Sequence, residues 1–204
     1  MHDLNQHWNR VFAGKSDQEL GWYENNPAQT LRYVDRAGLE QHSRIMIAGA
    51  GTSNVVEALL SRGHELILND ISDQALATLK QRTGEPESIT WLHHDMAQPL
   101  PQGIAPVHMW LDRAVLHFIT DESGIQRYFD NLRSLVQADG YVLLAEFSTS
   151  GATECAGLKV HRYSLEEMQQ RLGLEFTLQA HEFYTYTTPN QEARPYLYAL
   201  FQRC

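Results

Sequence analysis

The sequence is short of cysteine. Only Cys155 and Cys204 occur in 204 residues, which excludes a disulfide framework and a zinc module of the paired-cysteine type. It is also short of positive charge. Sixteen Lys and Arg stand against 25 Asp and Glu, for a formal net charge of −9. No whole-molecule positive field therefore gathers phosphates, and nucleic acid is not an expected partner. No apolar run is long enough to span a bilayer, so a membrane is not an expected partner either. The opening stretch Met1 to Arg10 has no basic head followed by an apolar core, so a secretory signal is not expected and a reducing cytoplasm is the expected compartment. Ten histidines do not add up to a metal site. No His-x-x-x-His helix occurs, and His93 and His94 point to opposite faces of an extended segment.

What is present is alternation. Arg44 to Ala48 is an apolar run stopped by Gly49, and reads as a buried strand. Val55, Val56, Leu59 and Leu60 then share one helical face. Glu65 to Asp70 reads as a second strand, Ala75, Leu76 and Leu79 as a helix, Ser88 to Leu92 as a third strand and Val107 to Leu111 as a fourth. Ile125, Tyr128, Phe129, Leu132, Leu135 and Val136 form the strongest helical stripe in the chain. A turn at Ala138 to Gly140 leads into a fifth strand over Tyr141 to Ala145. Strands and helices alternating at this length imply an α/β fold, a doubly wound sheet with helices on both faces. The pattern then breaks: Phe183 to Thr188 and Tyr196 to Phe201, separated by Pro189 and Asn190, predict a terminal antiparallel hairpin. The length fits one domain over 1–204, with residues 1–42 as a helical cap and 43–204 as the core.

In a doubly wound sheet, ligands sit beyond the carboxyl ends of the strands. The first strand ends in Gly49, Ala50, Gly51, where glycines let a backbone approach a ligand closely; Ser53 and Asn54 are candidate caps of the helix that follows. A lone Gly-x-Gly is equally a tight strand-to-helix turn. Asp70 ends the second strand about twenty residues on, where an acid accepts the ribose hydroxyls of an adenosine ligand. Asp95 follows the third strand, placed to accept from an adenine amine, with Met96 as an apolar wall. Three strand ends in register point to an adenosine-type ligand. A phosphate cradle is missing: there is no Gly-Lys-Ser/Thr, and Ser53 replaces the third glycine of the dinucleotide fingerprint. A nucleoside with a positive centre suits an acidic chain with Asp112 at the end of the fourth strand.

The series glycine loop, Asp70, His94-Asp95, fourth strand, Ala138 to Gly140 and terminal hairpin resembles class I S-adenosylmethionine-dependent methyltransferases. It is most similar to small bacterial members with an N-terminal Trp-Tyr segment (Gly21, Trp22, Tyr23), a fourth-strand Asp-Arg-Ala-Val-x-His-Phe (Asp112 to Phe118) and a later Cys-x-Gly-Leu-x-Val-x-Arg-Tyr (Cys155 to Tyr163). The resemblance implies a Rossmann-like sheet of order 3-2-1-4-5-7-6 with strand 7 antiparallel. It implies S-adenosyl-L-methionine as cofactor and S-adenosyl-L-homocysteine as product, lying over Gly49, Ala50, Gly51, Asp70, Ile71, Asp95, Met96 and Asp112. The position of the aromatic segment ahead of the first strand points, independently, to Trp22 and Tyr23 as a lid on the cofactor. Two departures stand out: Ile47 replaces the acid usual two residues before the first glycine, and His108 replaces an aspartate near the start of the fourth strand.

Candidates near a transferred methyl are Asp112, Arg113, His117 and Glu146, with Cys155, Arg162 and Tyr163 toward the substrate. Each has a structural alternative. Asp112 and Arg113 brace the strand end as an ion pair, His117 is a core histidine, Cys155 a small hydrophobe, and Arg162 with Tyr163 an anchor for the loop. Trp8, Trp22 and Tyr23 are core anchors if not a lid. The expected acceptor is an unidentified small molecule, anionic or a soft nucleophile. A protein-lysine methyltransferase, marked by an open acidic groove, and a non-catalytic cofactor-binding protein are the alternatives. A nicotinamide-dependent dehydrogenase is a further one.

Overall fold

The computed structural model describes residues 2–204. In chain order the strands are β1 (Arg44–Ala48), β2 (Glu65–Asp70), β3 (Ile89–His93), β4 (Val107–Arg113), β5 (Val136–Phe147), β6 (Glu154–Cys155), β7 (Leu158–Lys159), β8 (Phe176–Thr187) and β9 (Ala193–Arg203). β6 and β7 form a separate ribbon, and the other seven make one sheet in the order β3-β2-β1-β4-β5-β9-β8. β1 to β5 run parallel, and β9 lies antiparallel between β5 and β8. Counted within the sheet, this is the expected 3-2-1-4-5-7-6 order with an antiparallel seventh strand. The fold is Rossmann-like.

Both faces are covered, by helices α1 (His2–Gly14), α2 (Ala28–Ala37), α3 (Val55–Ser61), α4 (Asp73–Thr83), α5 (Glu122–Leu135) and α6 (Leu165–Leu172). Side chains along a strand alternate between faces, so β1 divides its apolar run between two cores. Ile45 and Ile47 pack with Tyr33, Val34, Val56 and Leu59 from α2 and α3. Met46 and Ala48 pack with Phe129, Leu132 and Met168 from α5 and α6. Ser72, Asp121 and Ser164 cap α4, α5 and α6, each accepting from a backbone amide in the first turn. Among the described residues, no helix is long and apolar enough to cross a membrane.

Two boundaries differ from the sequence reading. Val136 opens β5 rather than closing α5, and Ala138 to Gly140 form a bulge inside the strand, with Asp139 at φ 61° and a register shift against β4. The terminal hairpin is also longer than the two apolar runs suggest. β8 is an edge strand whose outer residues in its first half, Thr177, Gln179 and His181, are polar, so that half carries no continuous apolar signal.

Candidate functional site

β1 hands the chain to Gly49 and Gly51, both in the left-handed region at φ 60° and 52°. A side chain at either would be strained. A Cβ on Gly49 would lie 2.1 Å from a methyl of Val115, and one on Gly51 would lie 3.4 Å from the Phe12 ring. The first glycine thus makes room for the loop after β4 and the second for the N-terminal helix. Ser53 accepts from the Val55 amide at the start of α3, whereas Asn54 does not cap it. The Asn54 amide instead donates to the Glu24 carbonyl at 2.8 Å, fastening the N-terminal segment.

Asp70 binds this loop to its own. Its two carboxylate oxygens accept from the amides of Gly51 and Ser72, each at 2.8 Å. Burial nevertheless pushes its pKa up to about 6, against the pull of the Ser72 and Gly51 amides. Asn69 completes the join: it accepts from the Gly49 amide and donates to the carbonyls of Leu92 and His94. Sequence reasoning passed over Asn69, although a buried strand ending in Asn-Asp was the available signal.

Above these loops lies a cavity of about 330 Å³. Of the residues expected at a ligand, Gly49, Gly51, Asp70, Ile71, Asp95, Met96, Trp22 and Arg113 line it. Ala50 and Tyr23 do not. Ala50 is buried with its amide on the Asn69 carbonyl, and Tyr23 faces a smaller neighbouring chamber. The roof is aromatic: Trp8 meets the ring of Phe118 at 4.8 Å and that of Trp22 at 5.6 Å, edge to face, and Phe12 lies beside Trp22. Phe118, Leu158 and Lys159 on the wall were not anticipated. Leu158 and Lys159 reach it because the β6–β7 ribbon reverses at Ala156 and Gly157, both at positive φ. Polar bonds seat the roof on the sheet. Asn5 donates to the Ile71 carbonyl, Asn9 accepts from Ser72, and Thr52 donates to Asp17.

The fourth-strand motif goes elsewhere. Asp112 and His117 are fully buried below the cavity floor and line none of it, a correction to their expected place at the ligand. Asp112 accepts from the amides of Val115 and Leu116 and from the Tyr128 hydroxyl, which itself accepts from Trp110. The His117 amide donates to Glu146, whose carboxylate lies 2.7 Å from Nδ1 of the same residue. Burial lowers the His117 pKa to about 3 and raises that of Glu146 to about 7, while burial and the Glu146 charge raise Asp112. His117 is therefore a neutral core histidine stacked on Phe147. This group holds the turn Val115 to Phe118 in place.

Arg113 alone of the three reaches the cavity, and its ion-pair partner is not Asp112. Its Nε lies 3.0 Å from Glu24, both side chains being 10% exposed, and its Nη1 donates to the Trp22 carbonyl at 2.9 Å. The substrate candidates also lie off the cavity wall. Cys155 sits on the ribbon, its thiol pKa raised by burial and so not activated. Arg162 donates to the carbonyl of Thr149, anchoring the loop after β5, and Tyr163 is buried with its amide on the Phe147 carbonyl. Among the described residues, no group of three or more His, Cys, Asp or Glu is placed to hold a metal.

Residues 45–140 match a family model described as a methyltransferase domain. No curated protein sequence matches the chain. Solved structures do. A SAM-dependent methyltransferase from Anabaena variabilis superposes with a TM-score of 0.78 at 16% identity, over 100% of this chain and 94% of that one. The N-methyltransferase NodS from Bradyrhizobium japonicum, in complex with S-adenosylhomocysteine, gives 0.70 at 15% identity, over 97% and 98%. The 1,6-didemethyltoxoflavin-N1-methyltransferase of Burkholderia thailandensis, with its acceptor and S-adenosylhomocysteine bound, gives 0.69 at 17%, over 99% and 84%. These likenesses establish a shared fold.

Proposed function

We propose that this protein is an S-adenosylmethionine-dependent methyltransferase acting on a small molecule. One observation carries the reading: a single cavity joins the glycine loop, Asp70 and the Asp95–Met96 turn to an aromatic chamber under the N-terminal segment. The residues fit an adenosine ligand. Each Asp70 oxygen accepts one amide and keeps a lone pair for a ribose hydroxyl. A Cβ at Gly51 would narrow the space between loop and roof. Met96 offers an apolar wall for a base, and Asp95 keeps one carboxylate oxygen free of the Ala97 amide.

Bound there, the cofactor supplies an electrophilic methyl on a positive sulfur. The chain's own part is alignment and exclusion of water. Trp8, Trp22 and Phe118 form a wall that gives an acceptor one way to lie, and such positioning contributes roughly 7–11 kcal/mol to a two-body reaction. The buried His117 and Glu146 do not reach the cavity and serve as no base toward an acceptor. An acceptor that attacks without deprotonation, such as a thiolate or a metalloid anion, needs only alignment, whereas one that must lose a proton would find His94 or Asp121 on the cavity wall. A cavity roofed by aromatic rings also suits a small molecule better than a lysine side chain on a protein, for which an open acidic groove is the expected form. Trp22 belongs to the roof, and the segment over residues 9–26 acts as the lid.

Titration calorimetry with S-adenosylmethionine and S-adenosylhomocysteine tests the reading. Micromolar dissociation constants, about −8 kcal/mol, are expected for both. No heat and no thermal shift at millimolar ligand would overturn it.

A further inference from the structure

Beside the main cavity lies a second chamber of about 50 Å³, lined by Trp22, Glu24, Ile47, Gly49 to Ser53 and Arg113 among others. Gly49, Gly51, Trp22 and Arg113 line both spaces, so the two adjoin with Trp22 between them. The chamber's charges are two: the Glu24 carboxylate, brought by the N-terminal segment, and the Arg113 guanidinium, brought by the end of β4. They neutralise each other, yet the pair is incomplete. Arg113 uses Nε on Glu24 and the Tyr198 hydroxyl and Nη1 on the Trp22 carbonyl, and its faces stack against Tyr186 and Tyr196. Its Nη2 is buried with no partner. A guanidinium N–H left unpaired in a buried place costs more than a neutral one, and a native structure rarely leaves it so.

We infer that Glu24 and Arg113 form the seat for the amino-acid end of the cofactor, Arg113 Nη2 donating to its α-carboxylate and Glu24 accepting from its α-ammonium. The inference rests on the reading above. A zwitterion brings no net charge into a chamber whose own charges cancel, and its two ends match the two groups in sign. Ile47 explains why the acid comes from this direction. The resemblance places a carboxylate at that position, and here a buried isoleucine faces the same chamber. The missing acid is replaced from across the space, on the segment that also roofs the cavity. Closure of that roof and capture of the charged tail are then one event, because Arg113 holds the backbone of Trp22 and the side chain of Glu24 together.

Calorimetry on the full chain separates this from a purely structural pair. The ligands are S-adenosylhomocysteine and 5′-methylthioadenosine, which keeps the nucleoside and sulfur but lacks the amino-acid end. The natural protein is expected to favour S-adenosylhomocysteine at least tenfold. Glu24→Gln and Arg113→Lys are each expected to shrink that preference at least fivefold, by weakening S-adenosylhomocysteine more than methylthioadenosine. An undiminished preference, or equal loss for both ligands, overturns the assignment. If Arg113→Lys does not fold, the isosteric Glu24→Gln decides alone. Should the natural protein bind both ligands equally, this assignment fails and the function stands; should it bind neither, both fall.

Discussion

Asp70 and Asp112 stand at the carboxyl ends of β2 and β4, two parallel strands on either side of β1, and each accepts from two backbone amides of loops at that end of the sheet: Gly51 and Ser72 for Asp70, Val115 and Leu116 for Asp112. Their surroundings then diverge. Asp70 keeps 5% of its surface and forms part of the cavity wall, whereas Asp112 keeps none and lies under Tyr128 and the turn at Leu116. One acid shapes a loop and still presents lone pairs to a ligand. The other spends its hydrogen-bonding capacity inside the fold. A strand-end carboxylate is therefore a device for organising adjacent loops first, and a ligand group only where the overlying element leaves space.

The contrast is broken most forcefully at Asp112. Asp112→Ala leaves two amides and a phenol without their acceptor, and at about 1–3 kcal/mol each the loss should be at least ~3 kcal/mol. Thermal unfolding should show the midpoint falling by about 10 °C, at 2–4 °C per kcal/mol for a chain of this size; an unchanged midpoint would remove the bracing role. Asp70→Ala should do the reverse. Affinity for S-adenosylhomocysteine falls at least tenfold, as expected from charge-assisted bonds of about 1.5–3 kcal/mol, and calorimetry should find the loss alongside a smaller change in unfolding midpoint. Equal affinity with a lower midpoint would make the two acids alike.

The smallest effect sharpens the comparison through pH. The raised Asp70 pKa, about 6, means the folded protein holds this proton more tightly than the unfolded chain, whose aspartate titrates near 4. Its contribution to folding is complete below pH 4 and is lost as pH rises through 6. Ligand affinity moves the other way, since the ionised form is the stronger acceptor. Affinity for S-adenosylhomocysteine should rise severalfold between pH 5 and 7 and level off above. Asp70→Asn should abolish the step, and a step that survives in that variant belongs to another group.

The parallel half of the sheet was legible because its strands are covered on both faces: the run from Arg44 to Ala48 and that from Glu65 to Asp70 are the strands observed. The start of β8 was not, because an edge strand alternates with polar residues that look like loop. The glycine loop, Asp70, Asp95 and Met96 were readable as one wall, since strand ends in register must share a side of the sheet. Depth was unreadable. Asp112, His117, Cys155 and Tyr163 have residue types that do chemistry, and nothing in their spacing tells a sealed floor from an open wall. Glu24 was missed for a different reason. A single acid between Tyr23 and Asn25 carries no periodicity, and its meaning comes only from Arg113, far away in the sequence and 3.0 Å away in space.

The position of β9 has a consequence for how the molecule is made. It is synthesised after every other strand of the sheet, yet it inserts between β5 and β8 rather than adding at an edge. Until it emerges from the ribosome, β5 offers a bare row of amides and carbonyls, and β8 has nothing to pair with. The residues it brings include Tyr196 and Tyr198, which flank the Arg113 guanidinium. The ligand site is thus among the last parts of the fold to be assembled. A nascent chain carries its exposed apolar sheet without a finished binding pocket through most of its synthesis, which is when such chains are most exposed to aggregation and most in need of chaperones.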